Sequence, residues 1–463
     1  MKILFAAHQF FPEHYAGVEI VTLGLARTFR ARGHETYVLA PKRSVPINDI
    51  HPGQIEDYEF EGIPVRRVGR PKEGMSRSYR LDYENEVMAQ RAREYMREVR
   101  PDIVHAEHFQ GLSASVIPVF KEFGVPLVYT ATDFWTFCPV IDLRRHDGAM
   151  CKGPELVHCT RCIASRHPGT RMKAIVDGTP DAALHAAGRL SGTPFAKISH
   201  SLRQVRALKE RPGYIREKME QVDHIIVYTR LMRDLLLANG ISGGRIEVSP
   251  YGIDTSHISE APPNRSLPPP LRVGFIGTLA PHKGCDTLIR AFHQLPRELD
   301  ATLGIYGNLQ RFRRFVEELR KLAGNDERIN FAGPFQRESV GHILSGLDVL
   351  VVPSRWYENQ PGVILEAFAA GMPVVATDLG GMSEFVRHEE NGLLFELENV
   401  GDLARQLRRL GEEPGLLERL RAGIGPVKTV EENVDELEAL YNTLLGNKAH
   451  TARGDGGLPG VDL

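Results

Sequence analysis

The stretch Asp348-Val-Leu-Val-Val-Pro-Ser-Arg-Trp-Tyr-Glu-Asn-Gln-Pro-Gly-Val-Ile-Leu-Glu-Ala-Phe-Ala-Ala-Gly-Met-Pro-Val-Val-Ala376 reads as a strand, a polar loop, a helix and a second strand. Its opening apolar run is of the parallel-strand type and is closed by Pro353. Pro361 falls at the first turn of the helix, where proline is best tolerated. Gly371 and Pro373 end that helix about three turns later. A loop that follows a strand and precedes a helix is where an open α/β sheet binds its ligand. Glu358 and Glu366 bracket this corner.

The spacing of the two carboxylates has a physical meaning. Glu358 lies in the loop, free to accept hydrogen bonds from hydroxyl groups. Glu366 lies about one turn into the helix, and helical side chains lean towards the N-terminus. Both can face one pocket, with the backbone around Asn359, Gln360, Pro361, Gly362 and Val363 between them. Such a corner suits a polyhydroxylated anion, its charge met by N–H groups and its hydroxyls by carboxylates. Taken alone, the pair also fits a surface Glu near a positive helix end and a Glu that is merely a good helix former.

The wider pattern is more specific. Glu358-x7-Glu366, with Pro361-Gly362, Glu366-Ala367 and Gly371-x-Pro373-Val374-Val375-Ala376 around it, resembles the nucleotide-sugar motif of retaining glycosyltransferases of family 4. The resemblance extends over nearly the whole chain to about residue 446. It implies the α/β fold called GT-B, two Rossmann-like doubly wound domains facing across a deep cleft. Residues 1–257 would form an acceptor-binding domain and 271–428 a nucleotide-sugar domain. A helix over 429–446 would cross back to the first domain. Residues 258–270 are linker by composition, and 447–463 form a Gly-rich polar tail expected to be disordered.

Composition agrees with two domains. The 463 residues suit two cores of comfortable size, and the net charge of −2 gives no reason to expect nucleic acid binding. No apolar run approaches the ~20 residues of a membrane span. Met1-Lys-Ile-Leu-Phe-Ala-Ala7 reads as a buried first strand rather than a signal peptide. Five cysteines make no disulfide scaffold, so a reducing cytoplasm is the expected compartment.

From the N-terminus, strand 2–7, a turn at Gly17, helix 20–32 and strand 35–40 form a βαβ unit. Its turn is the phosphate-approach position. By resemblance, Gly17 faces the donor diphosphate; the family's preceding glycine is Ala16 here. His105 and His108 flank a strand end, and the resemblance turns His108 towards the acceptor. Thr130-Ala-Thr-Asp-Phe-Trp-Thr-Phe-Cys-Pro139 resembles a signature that normally reads His-Asp. Thr132 replaces the histidine, which removes any imidazole base at that point. Asp133 is kept and is assigned to an acceptor hydroxyl, or else to capping.

Residues 136–222 form a basic insertion with four of the five cysteines. Cys159-x2-Cys162 has metal-ligand spacing, and with Cys138 and Cys151 it offers a structural zinc site or a set of unliganded thiols. The basic segment also offers peripheral contact with an anionic membrane. Further on, strand 272–277 ends at Gly277, and Lys283 in the next loop suits a diphosphate. The family's arginine partner of this lysine is Thr278 here, so Arg355 is a candidate replacement cation. Tyr306, Gly307 and Phe335 resemble positions near the nucleoside, and as aromatics Tyr306 and Phe335 equally fit a core.

The resemblance implies transfer of a sugar from a UDP- or GDP-sugar, with retention and without a required metal, to a glycan or lipid-linked acceptor in surface polysaccharide biosynthesis. Glu358 and Lys283 would act on the sugar and the diphosphate, and Glu366 on the ribose. Three other readings stay open: an inactive sugar-nucleotide binder, a nucleotide-sugar epimerase of the same fold and a membrane-associated scaffold that uses the basic insertion.

Overall fold

Strand β1 (Lys2–Ala6) buries Ile3, Leu4, Phe5 and Ala6 completely, as a central parallel strand covered on both faces must. It pairs in parallel with β2 (Glu35–Lys42) on one side and β5 (Ile103–Ala106) on the other. A computed structural model describes residues 1–13, 17–42, 51–70, 79–166, 170–194, 199–258 and 270–454. The chain divides into two compact units: Met1–Tyr228 with Met232–Tyr251 and Val430–Leu463, and Thr229–Leu231 with Gly252–Thr429. The second unit thus takes up the chain at Gly252, ahead of the sequence-expected boundary at 257. Most of the expected linker, residues 259–269, lies outside the described residues.

The first unit's sheet adds β3 (Ile55–Phe60), β4 (Ile63–Gly69), β6 (Leu127–Ala131), β7 (His224–Val227) and β8 (Ile246–Val248). Its order is β3-β4-β2-β1-β5-β6-β7-β8, with β3 antiparallel to β4. Its helices are α1 (Gly17–Ala31), α2 (Glu86–Val99), α3 (Val116–Glu122), α4 (Leu156–Arg166), α5 (Thr170–Asp177), α6 (Asp181–Leu190), α7 (His200–Met219) and α8 (Arg230–Ala238). Four of these, α4 to α7, form the long crossover between β6 and β7.

In the second unit, six strands run in the order β11 (Ile329–Gly333), β10 (Ala301–Tyr306), β9 (Leu271–Ile276), β12 (Val349–Val352), β13 (Val374–Thr377), β14 (Gly392–Phe395). All are parallel. Read within the unit, this is the 3-2-1-4-5-6 order of a doubly wound sheet, and the order reverses between β9 and β12. The helices are α9 (Cys285–Phe292), α10 (Arg313–Ala323), α11 (Val340–Ser345), α12 (Gly362–Ala369), α13 (Met382–Phe385), α14 (Val400–Glu412) and α15 (Leu416–Ala422).

The last helix, α16 (Val430–Gly454), belongs to the first unit. It runs past the expected boundary at 446, so residues 447–454 are helical where a disordered tail was expected. Val434, Leu437 and Tyr441, at helical spacing, are buried in the same core as Phe5 and Phe29. Tyr441 stacks on Phe29 with ring centroids 5.5 Å apart and donates or accepts at His105 Nδ1 over 2.5 Å. Arg32 and His34 pair with Asp435 and Glu438 at the rim.

Candidate active site

A switch point brings together the two loops that leave β9 and β12. Gly284, at the end of the first loop, has φ +70°, and a Cβ there would stand 1.9 Å from the Pro353 carbonyl oxygen. Only glycine permits that approach. The Arg355 N–H also donates to the His282 carbonyl at 2.8 Å, stitching the loops together. Lys283 is thereby held against Glu358, with Nζ 2.5 Å from Oε1.

Glu358 Oε1 is the focus of the corner. Ser354 Oγ and Trp356 Nε1 also donate to it, each at 2.7 Å. The Lys283 ammonium lies 5.2 Å from the Trp356 ring centroid, and the His282 ring 4.3 Å from it. Burial alone would push the Glu358 carboxyl up. The Lys283 charge and the hydrogen bonds from Lys283, Trp356 and Ser354 outweigh it and bring the group below its ordinary value. Glu358 is a half-buried, ionised acceptor. From beneath, the β13–α13 turn closes the loop: the Gly381 N–H donates to the Glu358 carbonyl at 2.9 Å. A Cβ on Gly381 would stand 1.9 Å from the Asn359 carbonyl oxygen.

Helix α12 begins beside this cluster. Pro361 is its N-cap, one position outside the first turn expected for it, and contributes no side-chain cap. The N–H groups of Gly362 and Val363 have no carbonyl one turn earlier, and the helix end carries partial positive charge. Glu366, in the second turn, is 7% exposed and pairs through Oε1 with Arg337 at 2.8 Å. Arg337 comes from the turn after β11, and sequence reading did not single it out. Phe335 and Tyr306 pack on the core with Ile276 and Val352, while the Gly277 N–H donates to the Tyr306 carbonyl at 3.0 Å.

Arg355 does not stand in for the missing family arginine. Its guanidinium is bound by Asp286 and Thr287 Oγ1 at 2.6 Å and by Glu398 at 3.2 Å. Two carboxylates already match its charge, which leaves Lys283 as the cation joined to Glu358.

The first unit holds the remaining predicted residues. Gly17 opens α1, is exposed, and has no atom within 4 Å of where a Cβ would stand, so packing inside the unit does not demand glycine. His108 and Asp133 meet at the ends of β5 and β6: Nε2 lies 2.7 Å from Asp133 Oδ2. His108 Nδ1 accepts the Gln110 N–H at 2.8 Å, so the ring proton is on Nε2 and is donated to Asp133. The other Asp133 oxygen accepts the Trp135 N–H at 2.8 Å. Asp133 remains 28% exposed while His108 is buried, which makes the carboxylate the group open to a ligand.

Two neighbours complete the picture. His105 is buried between Tyr441 and Thr130, and burial pulls its imidazole down to about 3, so it is a neutral structural group. Glu107, unremarked in the sequence, is fully buried with neither carboxyl oxygen hydrogen-bonded, and burial pushes it up to about 8. Its backbone carbonyl accepts from Thr132 Oγ1 at 3.1 Å.

The four clustered cysteines are free thiols, and all of them line one small cavity against α4. Among the described residues, no group of three or more His, Cys, Asp or Glu is arranged to hold a metal ion as it stands. No described helix is long and apolar enough to cross a membrane.

Two α/β units, one on an all-parallel sheet and one on a sheet parallel but for β3, with a cationic, carboxylate-lined corner at a switch point, define a protein of the GT-B class. The family profile for group 1 glycosyl transferases matches residues 270–413, and that for glycosyltransferase family 4 matches residues 15–149, together more than half of the chain. The chain belongs to glycosyltransferase family 4. It is 29% identical over 259 residues to a D-inositol 3-phosphate glycosyltransferase of Rhodococcus jostii, covering 50% of this chain and 56% of that one. The matches to the first four curated relatives cover between 24% and 58% of their lengths. Among solved structures, sucrose-phosphate synthase of Thermosynechococcus elongatus superposes with a TM-score of 0.64 at 17% identity, covering 96% and 99% of the two chains. HepE of Anabaena in complex with UDP-glucose gives 0.55 at 17% identity, covering 98% and 100%. At these identities the structural likeness is one of fold.

Proposed function

We propose that the protein is a retaining, metal-independent glycosyltransferase that moves a sugar from a nucleotide diphosphate to a glycan or lipid-linked glycan in polysaccharide biosynthesis. The observation that carries this reading is the convergence of Lys283, Ser354 and Trp356 on Glu358 Oε1, beside the uncapped start of α12. An anionic diphosphate arriving there finds helix N–H groups and the Lys283 ammonium. Glu358 is held ionised to accept hydroxyls of the transferred sugar, and Glu366 those of the ribose. Bond cleavage between the anomeric carbon and the phosphate oxygen leaves the charge on the diphosphate, where Lys283 and the helix end stabilise it. The acceptor oxygen bonds to the anomeric carbon on the face that the phosphate oxygen leaves, and the departing oxygen takes its proton, which gives retention. Asp133, oriented by His108 and the Trp135 N–H, is the acceptor-hydroxyl group of the first unit.

The test is nucleotide release over a panel of UDP-, GDP-, ADP- and dTDP-sugars with lipid-linked glycan extracts. UDP-glucose is the first donor to try, since the Anabaena neighbour is solved with it. Acceptor-dependent release from one donor supports the proposal. Thr278 and the committed Arg355 favour one second reading, a sugar-nucleotide binder without turnover. Tight donor binding with no release on any acceptor would establish that reading instead.

A further inference from the structure

The crossover between β6 and β7 gathers Cys138, Cys151, Cys159 and Cys162 from three separate segments onto one cavity wall. Cys159 and Cys162 lie on α4 three residues apart, hence on one face. Cys138 and Cys151 come from the two arms of the loop that the Arg144–Met150 bridge closes. The cavity is small, about 10 Å³, on the scale of a single water or ion rather than an organic ligand. His158 adds an imidazole to the wall, and its Nδ1 is buried with no hydrogen-bond partner.

The four cysteines are free thiols, and the Cys151 Sγ–H donates to the Gly153 carbonyl at 3.1 Å. The four sulfurs therefore share one wall with each proton still to be given up. A divalent cation in this cavity would take those protons' place, because a coordinating thiol is deprotonated outright.

We propose that this cavity is a structural zinc site ligated by Cys138, Cys151, Cys159 and Cys162. Four sulfur ligands and no open position match the closed tetrahedral type, and a borderline-soft ion is what thiolates select. In the metal-free arrangement the sulfurs are neighbours that have not converged, so binding draws the two loop arms onto α4 and releases protons. The site has a mechanical role. Cys138 ends the loop that carries Asp133 and Trp135, so the ion fastens that loop to the crossover.

The full-length protein, purified in reductant without chelator, is to be analysed for metal by mass spectrometry and then exchanged into Co²⁺. The expected result is about one zinc per chain, and for cobalt the intense thiolate charge-transfer and ligand-field bands of a tetrahedral site. Cys162→Ser should lose most of the zinc and the cobalt spectrum. Should that variant not fold, wild type answers: a strong chelator should lower its melting temperature, with zinc restoring it. Absence of bound metal and of zinc or cobalt uptake, with all four thiols reacting freely, would overturn the proposal. So would recovery of the four cysteines as two disulfides.

Discussion

Lys283 Nζ and Glu358 Oε1 lie 2.5 Å apart across two loops that are 75 residues apart in sequence, and the oxygen is shared with Ser354 and Trp356. Removing either partner leaves the other charge largely buried, which costs more than the pair contributes. Lys283→Met is expected to lower stability by about 1–3 kcal/mol and transfer by about 10²–10³-fold. Adding Glu358→Gln should restore most of the stability while transfer stays lost. Urea unfolding and nucleotide release, measured on both single variants and the double, separate the two effects.

Acid should act on the same pair. The folded Glu358 carboxyl is held below its ordinary 4.5, so its stabilising contribution is present above that value. It is lost as pH falls below 4.5 towards the lowered value. Wild type should therefore lose more stability in this range than Glu358→Gln does, as read from urea midpoints at successive pH values.

Glu107 has the opposite sign. Its folded carboxyl is raised from 4.5 to about 8, so the native state holds a proton that the unfolded chain has released between those values. Stability from this group is full at low pH and declines as pH rises through about 8. Glu107→Gln keeps a neutral side chain of the same shape. Melting temperatures of this variant should decline less than those of wild type from pH 5 to pH 9; equal slopes would reject the assignment.

Gly381→Ala places a methyl group 1.9 Å from the Asn359 carbonyl and must push the Glu358 loop aside. We expect a stability loss of about 1–3 kcal/mol and a disproportionate loss of donor affinity. Titration of the nucleotide sugar by calorimetry checks it.

Tyr441→Phe keeps the stack on Phe29 and deletes the hydroxyl that meets the buried His105. The unpaired imidazole nitrogen should cost about 1–3 kcal/mol in urea unfolding.

Much of this architecture was legible because buried parallel strands are continuous apolar runs. Residues 349–352 and 374–376 could be little else. Local rules also placed Glu358 in a loop and Glu366 inside a helix. They could not show how those carboxylates are neutralised, because Lys283 and Arg337 arrive from other strand ends. Arg355 looked available for the same reason, since its partner Glu398 lies 43 residues further along. Glu107 reads as an ordinary strand-end acid until the sheet buries it. The end of α16 is expected at 446 because residues 447–463 are Gly-rich and polar in composition, yet the helix continues to Gly454.

The His105–Tyr441 contact joins residues 336 positions apart, and the core that includes Phe29 also needs Val434 and Leu437. On a ribosome, the first unit therefore cannot close its core until almost the whole chain has emerged. The stretch from Gly252 to Thr429 supplies nearly all of the other unit in one uninterrupted run. Synthesis order and completion order are thus reversed: the domain begun first is finished last, and a chain interrupted before Val430 would leave the apolar surface around Phe29 uncovered for chaperones and proteases.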